Sequence, residues 1–305
     1  MLPEGWIPHR RADGVVVGWI ELDGEDIAGF DLLGRRVTAP GADWHEAEQA
    51  LDDRGIGYLA DQYTLSLPDE TFLPVRIGEA TTEQVTVVAD EFGGASVIGA
   101  EPATHVLPFP VPTGLLRDYV RPRVDLGTWQ DAEGRPIDYG SRWGDGEPPE
   151  GAYSACAHPE RFEPVVQVAR ALLDHLERSY DVNRADIVRE TVRVTLTPRT
   201  GDGTALTLRF LSGGTGVSVG AGYRYEGLWP DCGCDACDDP VPLLLDDLET
   251  MVFAIVEGKM SEWRSRGAKH VRFDGITEMG SVGGPEPLDL PTTPHRWGAW
   301  PIRTG

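Results

Sequence analysis

The chain has 305 residues, of which 40% are hydrophobic and 25% are charged, a composition that suits a soluble protein with more than one core. Its 50 acidic and 27 basic residues give a formal net charge of −23. So acidic a surface repels phosphate backbones and anionic lipid. We therefore expect neither nucleic acid nor a membrane as a partner, and favour a basic protein.

Residues 1–115 are predicted to form a small, mostly β module with one helix. Strands are expected where apolar residues alternate or run together between turn signals: Val15–Ile20, Tyr63–Leu67, Thr71–Ile77 and Val85–Val88. The helix is predicted at Trp44–Asp53, with Asp43 as its N-cap. The proline-rich stretch Leu107–Pro112 is extended and semi-rigid, which places a domain boundary near residue 115.

Residues 116–305 are predicted to form a two-layer α+β domain, so the chain as a whole is α+β with two domains. A long irregular segment, 120–151, precedes the clearest helix, Pro159–Tyr180, whose apolar residues repeat at helical spacing. Three alternating segments then predict an antiparallel meander: Val192–Leu196, Leu206–Phe210 and Val217–Tyr225.

A second helix is predicted directly after the meander. Asp239 is its expected N-cap and Pro240 lies in its first turn. Its apolar stripe continues to Trp263, and Gly267 is the expected stop. The Pro- and Trp-rich C-terminal segment that follows is expected to pack on this domain, because disordered tails seldom carry two tryptophans.

Three of the four cysteines, Cys232, Cys234 and Cys237, fall within six residues of one another. Cys-x-Cys-x-x-Cys spacing brings three sulfurs within reach of one ion, and structural zinc takes four ligands in a closed tetrahedron. The motif therefore predicts a structural site, with zinc as a possible ion. Three residues are candidates for the fourth ligand: His158, the first choice because it begins the first helix, then Cys156, then His270.

Other interpretations of the cysteines remain open. Reduced, half-buried thiols in a tight turn explain the motif almost as well as a metal does. A thiol redox role ranks lower because the surrounding aspartates disfavour free thiolates, and catalytic zinc ranks lowest. No catalytic set of side chains is evident. Glu160 and Arg161, beside His158, are expected to be a solvated pair.

Four segments carry a resemblance to a known group of proteins. They are Arg117–Pro122, Tyr139–Asp145, His158–Phe162 and Pro230–Asp238, the last with the sequence Pro-Asp-Cys-Gly-Cys-Asp-Ala-Cys-Asp. Residues 116–305 resemble an uncharacterised actinobacterial family of unknown function that is marked by the Cys-Gly-Cys-Asp-Ala-Cys-Asp segment. The resemblance implies a bacterial cytosolic protein and supplies no activity.

These observations favour a non-enzymatic binding protein with a structural cysteine site. The alternative is a metal- or thiol-dependent enzyme that uses the same cysteines. Four cysteines are too sparse for a disulfide scaffold, and the N-terminus shows no charged region followed by an apolar run. A reducing cytoplasm is therefore the expected compartment.

Overall fold

In a computed structural model, the chain is an α+β protein that divides into two compact units. The first comprises Met1–Arg121 with Ile302–Gly305, and the second comprises Pro122–Pro301. The structure describes these residues: 2–23, 26–38, 41–67, 72–89, 103–144, 146–189, 191–265, 268–275 and 290–303. Within those ranges, no helix is both long and apolar enough to cross a bilayer.

The first unit contains two antiparallel sheets among its described residues. One has the order β1-β2-β3, with the strands β1 (Ile7–Arg10), β2 (Val16–Asp23) and β3 (Asp26–Phe30). The other has the order β7-β6-β5-β4-β8, with the strands β4 (Gln62–Ser66), β5 (Phe72–Ala80), β6 (Gln84–Ala89), β7 (Thr104–Pro108) and β8 (Leu116–Arg117). The predicted strands of this region are found within a few residues, except that Thr71 lies outside the described residues.

Helix α1 (Trp44–Arg54) confirms the prediction for this segment. Its N-terminus is a capping box: the side chain of Asp43 accepts a hydrogen bond from Glu46 N at 2.9 Å, and Glu46 accepts one from Asp43 N at 2.8 Å. Buried Ala47 and Leu51 on this helix pack with Val17 and Ile20 of β2. A local cap and one apolar face therefore position the helix on the first sheet.

A turn with the sequence Asp-x-x-Gly-Arg occurs in both units. In the first unit, Asp31 Oδ1 accepts hydrogen bonds from the main-chain N–H groups of Leu33 and Arg35, at 2.9 and 3.0 Å. In the second, Asp131 makes the equivalent bonds to the N–H groups of residues 133 and 135, at 3.0 and 2.8 Å. The glycines at 34 and 134 have φ of +76° and +79°, which few other residues tolerate.

The second unit begins with a short hairpin, β9 (Trp129–Gln130) and β10 (Pro136–Ile137). A 3₁₀ turn, Pro159–Phe162, leads into α2 (Glu163–Ser179). A five-stranded antiparallel sheet in sequential order follows: β11 (Val182–Val188), β12 (Val192–Pro198), β13 (Leu206–Phe210), β14 (Val217–Ala221) and β15 (Tyr225–Trp229). Helix α3 (Val241–Val256) comes next. The remaining strands form a sheet of order β17-β16-β18: β16 (Met260–Ser265), β17 (Ala268–Phe273) and β18 (His295–Arg296).

The meander predicted as three strands has five among the described residues. Val217–Tyr225 is not one strand, because Gly222, with φ of +59°, turns the chain and Tyr225 starts the next strand. Buried Val194, Leu208 and Val219 are paired across β12, β13 and β14 and so share one face of the sheet. Helix α2 contacts α3 and strands β11 and β14.

Both predicted ends of the second helix were wrong. Pro240, not Asp239, is the N-cap of α3, and it makes no side-chain capping bond. The helix stops at Val256 because Gly258 has φ of +71° and lies against the backbone of Ala299 and its neighbour. Trp263 therefore lies on β16 rather than on the helix, and the expected stop at Gly267 is outside the described residues.

The C-terminal tryptophans pack on the second unit. Trp300 is 3% exposed and donates through Nε1 to Thr204 O at 2.8 Å. Trp297 Nε1 donates to Oε2 of the buried Glu262 at 2.9 Å. The same carboxylate accepts from the N–H groups of Tyr223 and Arg224, so one side chain of β16 holds both the C-terminal segment and the β14–β15 turn.

Candidate metal centre

The three clustered cysteines lie on the turn that connects β15 to α3. The Sγ atoms of Cys232, Cys234 and Cys237 lie within 4.8 Å of one another, and those of Cys234 and Cys237 are 3.5 Å apart. Cys232 and Cys237 are exposed, Cys234 is half-buried, and all three are free thiols. The structure therefore brings together the three sulfurs that the spacing predicted, in an arrangement that could hold a metal ion.

Asp235 fixes the middle of this turn to the segment 152–157. Its main-chain N–H donates to Ala155 O at 2.8 Å, and the next N–H, of Ala236, donates to Ala152 O at 3.1 Å. Its carboxylate accepts from the N–H of Ala157, at 3.1 Å from Oδ1 and 3.3 Å from Oδ2. Because this side chain is buried and fully engaged with protein groups, it acts as a support for the turn.

Asp238 fixes the end of the turn to a second segment, 139–143. Its Oδ2 accepts hydrogen bonds from the N–H groups of Gly140 and Arg142, at 3.0 and 2.9 Å. It is also the one non-glycine residue with positive φ in the described part of the chain, at +54°. Asp tolerates this conformation better than most residues. Trp143 Nε1 adds a bond to Asp235 O at 3.2 Å.

Two arginines balance the charge of these carboxylates. The Nη1 atoms of Arg161 and Arg142 each lie 3.6 Å from Asp235 Oδ1. The guanidinium of Arg161 lies between two rings, with Cζ 3.9 Å from the centroid of Tyr139 and 4.3 Å from that of Phe162. Burial makes this pairing necessary, because an isolated charge in the interior is costly.

The expectation that Glu160 and Arg161 form a solvated pair was wrong for Arg161. The residue is 1% exposed, and none of its three guanidinium nitrogens has a hydrogen-bond partner within the described residues. Its stabilisation comes from the nearby carboxylate and from cation–π contacts. Arg161 thus forms a buried support beneath the cysteine turn.

The pKa values of Cys234 and Cys237 are shifted in opposite directions. The pKa of Cys234 is lowered, first by a hydrogen bond from the thiol of Cys232 and then by the main-chain N–H of Cys237. The pKa of Cys237 is raised to about 12, first by its hydrogen bond with Cys234 and then by that with Cys232. The turn therefore favours thiolate at Cys234, which is the form that binds metal.

The candidates for a fourth ligand lie at different places. His158 contacts Gln130 O through Nε2 at 3.0 Å and Glu160 Oε1 through Nδ1 at 3.3 Å, and its ring packs on Trp129. His270 lies on β17, where its Nε2 is 2.8 Å from Ser265 Oγ. Neither histidine belongs to the three-sulfur group, and Cys156 does not belong to it either.

The remaining candidate, Cys156, lies on the segment that Asp235 holds. Its Sγ is 4.0 Å from the position that a Cβ would occupy at Gly233, between two of the clustered cysteines. Partial desolvation of the sulfur raises the pKa of this exposed residue's thiol, Arg161 opposes the shift, and the nearby Asp235 and Cys234 add to it.

Sequence reasoning missed the residues that support the turn: Tyr139, Arg142 and Arg161. Arg142 and Arg161 contact Asp235 or Asp238, and the ring of Tyr139 contacts both arginines. These contacts join distant parts of the chain, so no local spacing reveals them. The only signal was indirect: Tyr139–Asp145 and His158–Phe162 were two of the segments that carried the resemblance, with Asp145 outside the described residues.

A profile of DUF6226, a family of unknown function, matches residues 126–304. The chain belongs to this family. The match includes the cysteine turn and three of the four segments that carried the resemblance, while Arg117–Pro122 lies outside it. No curated protein and no solved structure matches the chain.

Proposed function

We propose that the chain is a non-enzymatic binding protein whose second unit is held in shape by a structural metal ion on Cys232, Cys234 and Cys237. The observation that carries this proposal is the convergence of the three Sγ atoms within 4.8 Å of one another. Thiolates select soft ions, and zinc is the ordinary structural choice for such a set.

The surroundings of the turn support a structural role over a catalytic one. Asp235 and Asp238 direct their carboxylates to main-chain N–H groups of the segments 152–157 and 139–143. An ion on the sulfurs would hold the turn to which both segments are bonded. Binding free energy at such a site adds to the free energy of folding.

The metal is tested by elemental analysis of protein purified without a metal-affinity step. We expect about one zinc per chain. The double variant Cys234→Ser/Cys237→Ser should lose it. Asp231→Asn, which removes an exposed charge beside the same sulfurs, is the matched control and should retain it. The site would be ruled out if the purified protein contains no transition metal and does not bind added zinc.

The charge of the chain supports a basic protein as the bound partner. A net charge of −23 attracts cationic surfaces at long range, and this attraction is screened by salt. Capture of a partner from native lysate should therefore be strong at low salt and weak at high salt. If nothing basic is captured at low salt, this part of the proposal fails.

A reducing bacterial cytoplasm is the proposed compartment. Cys234 and Cys237 are close enough, at 3.5 Å between their sulfurs, to be readily oxidised outside such a compartment. An actinobacterial source is supported by the resemblance and by the use of only two lysines, Lys259 and Lys269, among 27 basic residues.

A thiol-dependent enzyme is the second candidate function. The observation that favours it is the unequal pair in Cys234-Asp-Ala-Cys237, with one pKa lowered and the other raised to about 12. Such a pair is a feature of thiol redox motifs. Alkylation at neutral pH distinguishes the enzyme from the structural metal site. Fast labelling of Cys234 without a chelator favours redox chemistry. Slow labelling that becomes fast when a chelator is added favours the metal.

A further inference from the structure

The proposed metal site, on which this inference rests, has three sulfur ligands and needs a fourth. Structural zinc is closed in a tetrahedron with zinc–sulfur bonds of about 2.3 Å, whereas catalytic zinc keeps one position for water. The identity of the fourth ligand therefore decides whether the site supports the fold or is open to chemistry.

The backbone at Cys156 is fixed beside the cysteine turn from both sides. Ala155 O, before it, accepts from Asp235 N at 2.8 Å, and Ala157 N, after it, donates to Asp235 Oδ1 at 3.1 Å. Asp235 directly follows Cys234 in sequence. The Cα of Cys156 thus cannot move away from the turn without breaking hydrogen bonds to the main chain or the carboxylate of Asp235.

The thiol of Cys156 lies against the cysteine turn at Gly233. Its Sγ is 4.0 Å from the Cβ position of Gly233, which separates Cys232 from Cys234. Cys156 is a free and exposed thiol. A change of χ1 rotamer moves a cysteine sulfur by about 3 Å, so the side chain can adjust while its backbone stays in place.

The competing histidines would have to give up existing contacts. Both ring nitrogens of His158 have partners, Gln130 O at 3.0 Å and Glu160 Oε1 at 3.3 Å. His270 is stacked on Trp263, with ring centroids 5.1 Å apart, and its Nε2 lies 2.8 Å from Ser265 Oγ. Cys156 alone among the three combines a fixed backbone beside the turn with a free ligand atom.

We propose that Cys156 is the fourth ligand and closes an all-cysteine, tetrahedral site for a zinc-type ion. The site then links two stretches of the second unit that are distant in sequence: Ala157 and Asp235, one in each stretch, are 78 positions apart. A closed set of four thiolates leaves no position for substrate or water, so the ion supports the fold and performs no hydrolysis.

The test loads the metal-free full chain with Co²⁺, whose sulfur-to-metal charge-transfer absorption grows with the number of bound thiolates. Cys156→Ser should lower this absorption by about a quarter, since one of four sulfurs is lost, and should weaken Co²⁺ binding about tenfold or more. His158→Gln is the matched control and should leave both unchanged.

Three results of the Co²⁺ experiment would overturn the proposal, and each has a different meaning. If His158→Gln changes the spectrum and Cys156→Ser does not, His158 is the ligand. If neither variant changes it, neither residue is a ligand and the assignment of Cys156 fails. If the unaltered chain shows no charge-transfer absorption, the metal site itself fails and Cys156 with it.

A second measurement uses the unaltered protein, in case Cys156→Ser does not fold. Alkylation followed by peptide mass mapping reports the reactivity of Cys156 by itself. We expect Cys156 to be protected from alkylation in zinc-loaded protein and to be labelled after chelation. The other three cysteines should show the same change. Equal labelling of Cys156 with and without zinc, while the other three are protected, would contradict the assignment.

Discussion

Asp235 Oδ1 accepts a hydrogen bond from the main-chain N–H of Ala157 at 3.1 Å. The same oxygen lies 3.6 Å from Nη1 of Arg161, whose side chain is fully buried. One carboxylate therefore positions the segment that carries Cys156 and balances a buried charge. Asp235 therefore links the cysteine turn to both the segment 152–157 and Arg161.

Asp235→Asn is expected to lower the free energy of unfolding of the second unit by about 3–5 kcal/mol, because it removes the carboxylate charge that lies 3.6 Å from the buried guanidinium of Arg161. It should also weaken zinc binding, since the segment 152–157 loses its support. Denaturant unfolding and competition with a chelator measure the two effects. The control is Asp231→Asn, an exposed residue with the same charge change, which should have little effect on either. Equal stability of the two variants would contradict the role given to Asp235.

Arg161→Lys should destabilise the second unit by about 2 kcal/mol even though it retains the charge, because an ammonium cannot fill the planar space between Tyr139 and Phe162. Arg170→Lys is the matched control. Its guanidinium lies 4.8 Å from the centroid of Phe210, but on an exposed residue, so the loss should be much smaller. Thermal unfolding compares the two variants, and similar losses would show that burial of Arg161 is unimportant.

Glu262→Gln should destabilise the second unit by about 2–3 kcal/mol. The carboxylate of Glu262 accepts hydrogen bonds from Tyr223, Arg224 and Trp297. In glutamine, an –NH₂ group that can only donate would replace one of the accepting oxygens and face a donor. The exposed Glu226→Gln, also in this unit, serves as the comparison and should change stability little. Denaturant unfolding followed by tryptophan fluorescence reports the result. An unchanged midpoint for Glu262→Gln would mean that the C-terminal segment is held by other contacts.

The stability of the first unit should fall at high pH because of Tyr63. Burial raises the pKa of Tyr63 to about 12, above the value of 10.0 of an exposed phenol. Between these two values the unfolded chain releases the proton and the folded chain keeps it, so stability is complete below pH 10 and is lost as pH rises toward 12. The loss is about 1.4 kcal/mol per pH unit.

Tyr63→Phe should make the unfolding free energy of the first unit less dependent on pH, by the contribution of one ionising group. Tyr153→Phe, at an exposed site in the second unit, should leave that dependence unchanged. Unfolding free energies at several pH values above 9 test the difference. The substitution also removes the bond from Tyr63 Oη to Tyr58 O, which lowers stability at every pH, so the slope and not the absolute value decides. Parallel curves for Tyr63→Phe and the unaltered chain would refute the assignment.

The features that sequence predicted depend on neighbours in the chain. Asp43 and Glu46 form their capping box within one helical turn, and the three cysteines converge because they lie on one short turn. The end of α3 was missed because the apolar pattern continues from the helix into β16 at Met260 and Trp263. Only the approach of Gly258 to the C-terminal segment reveals the break.

The supports of the site could not be predicted because they join distant segments. Nothing near Arg161 in the sequence indicates that it is buried between two rings or that Asp235 lies beside it. Aspartates next to cysteines suggested a local role, either with a cation or at a helix N-terminus. Their actual partners are main-chain N–H groups at Gly140, Arg142 and Ala157, which only the fold brings near.

The central claim is that the ion on the cysteine turn stabilises the fold. Thermal unfolding of zinc-loaded protein, before and after a chelator, tests it most directly. The account predicts that chelation lowers the Tm of the second unit by about 10 °C, that added zinc restores it, and that a variant with serine at 232, 234 and 237 does not respond. An identical Tm with and without chelator, in protein shown to carry the ion beforehand, would contradict it.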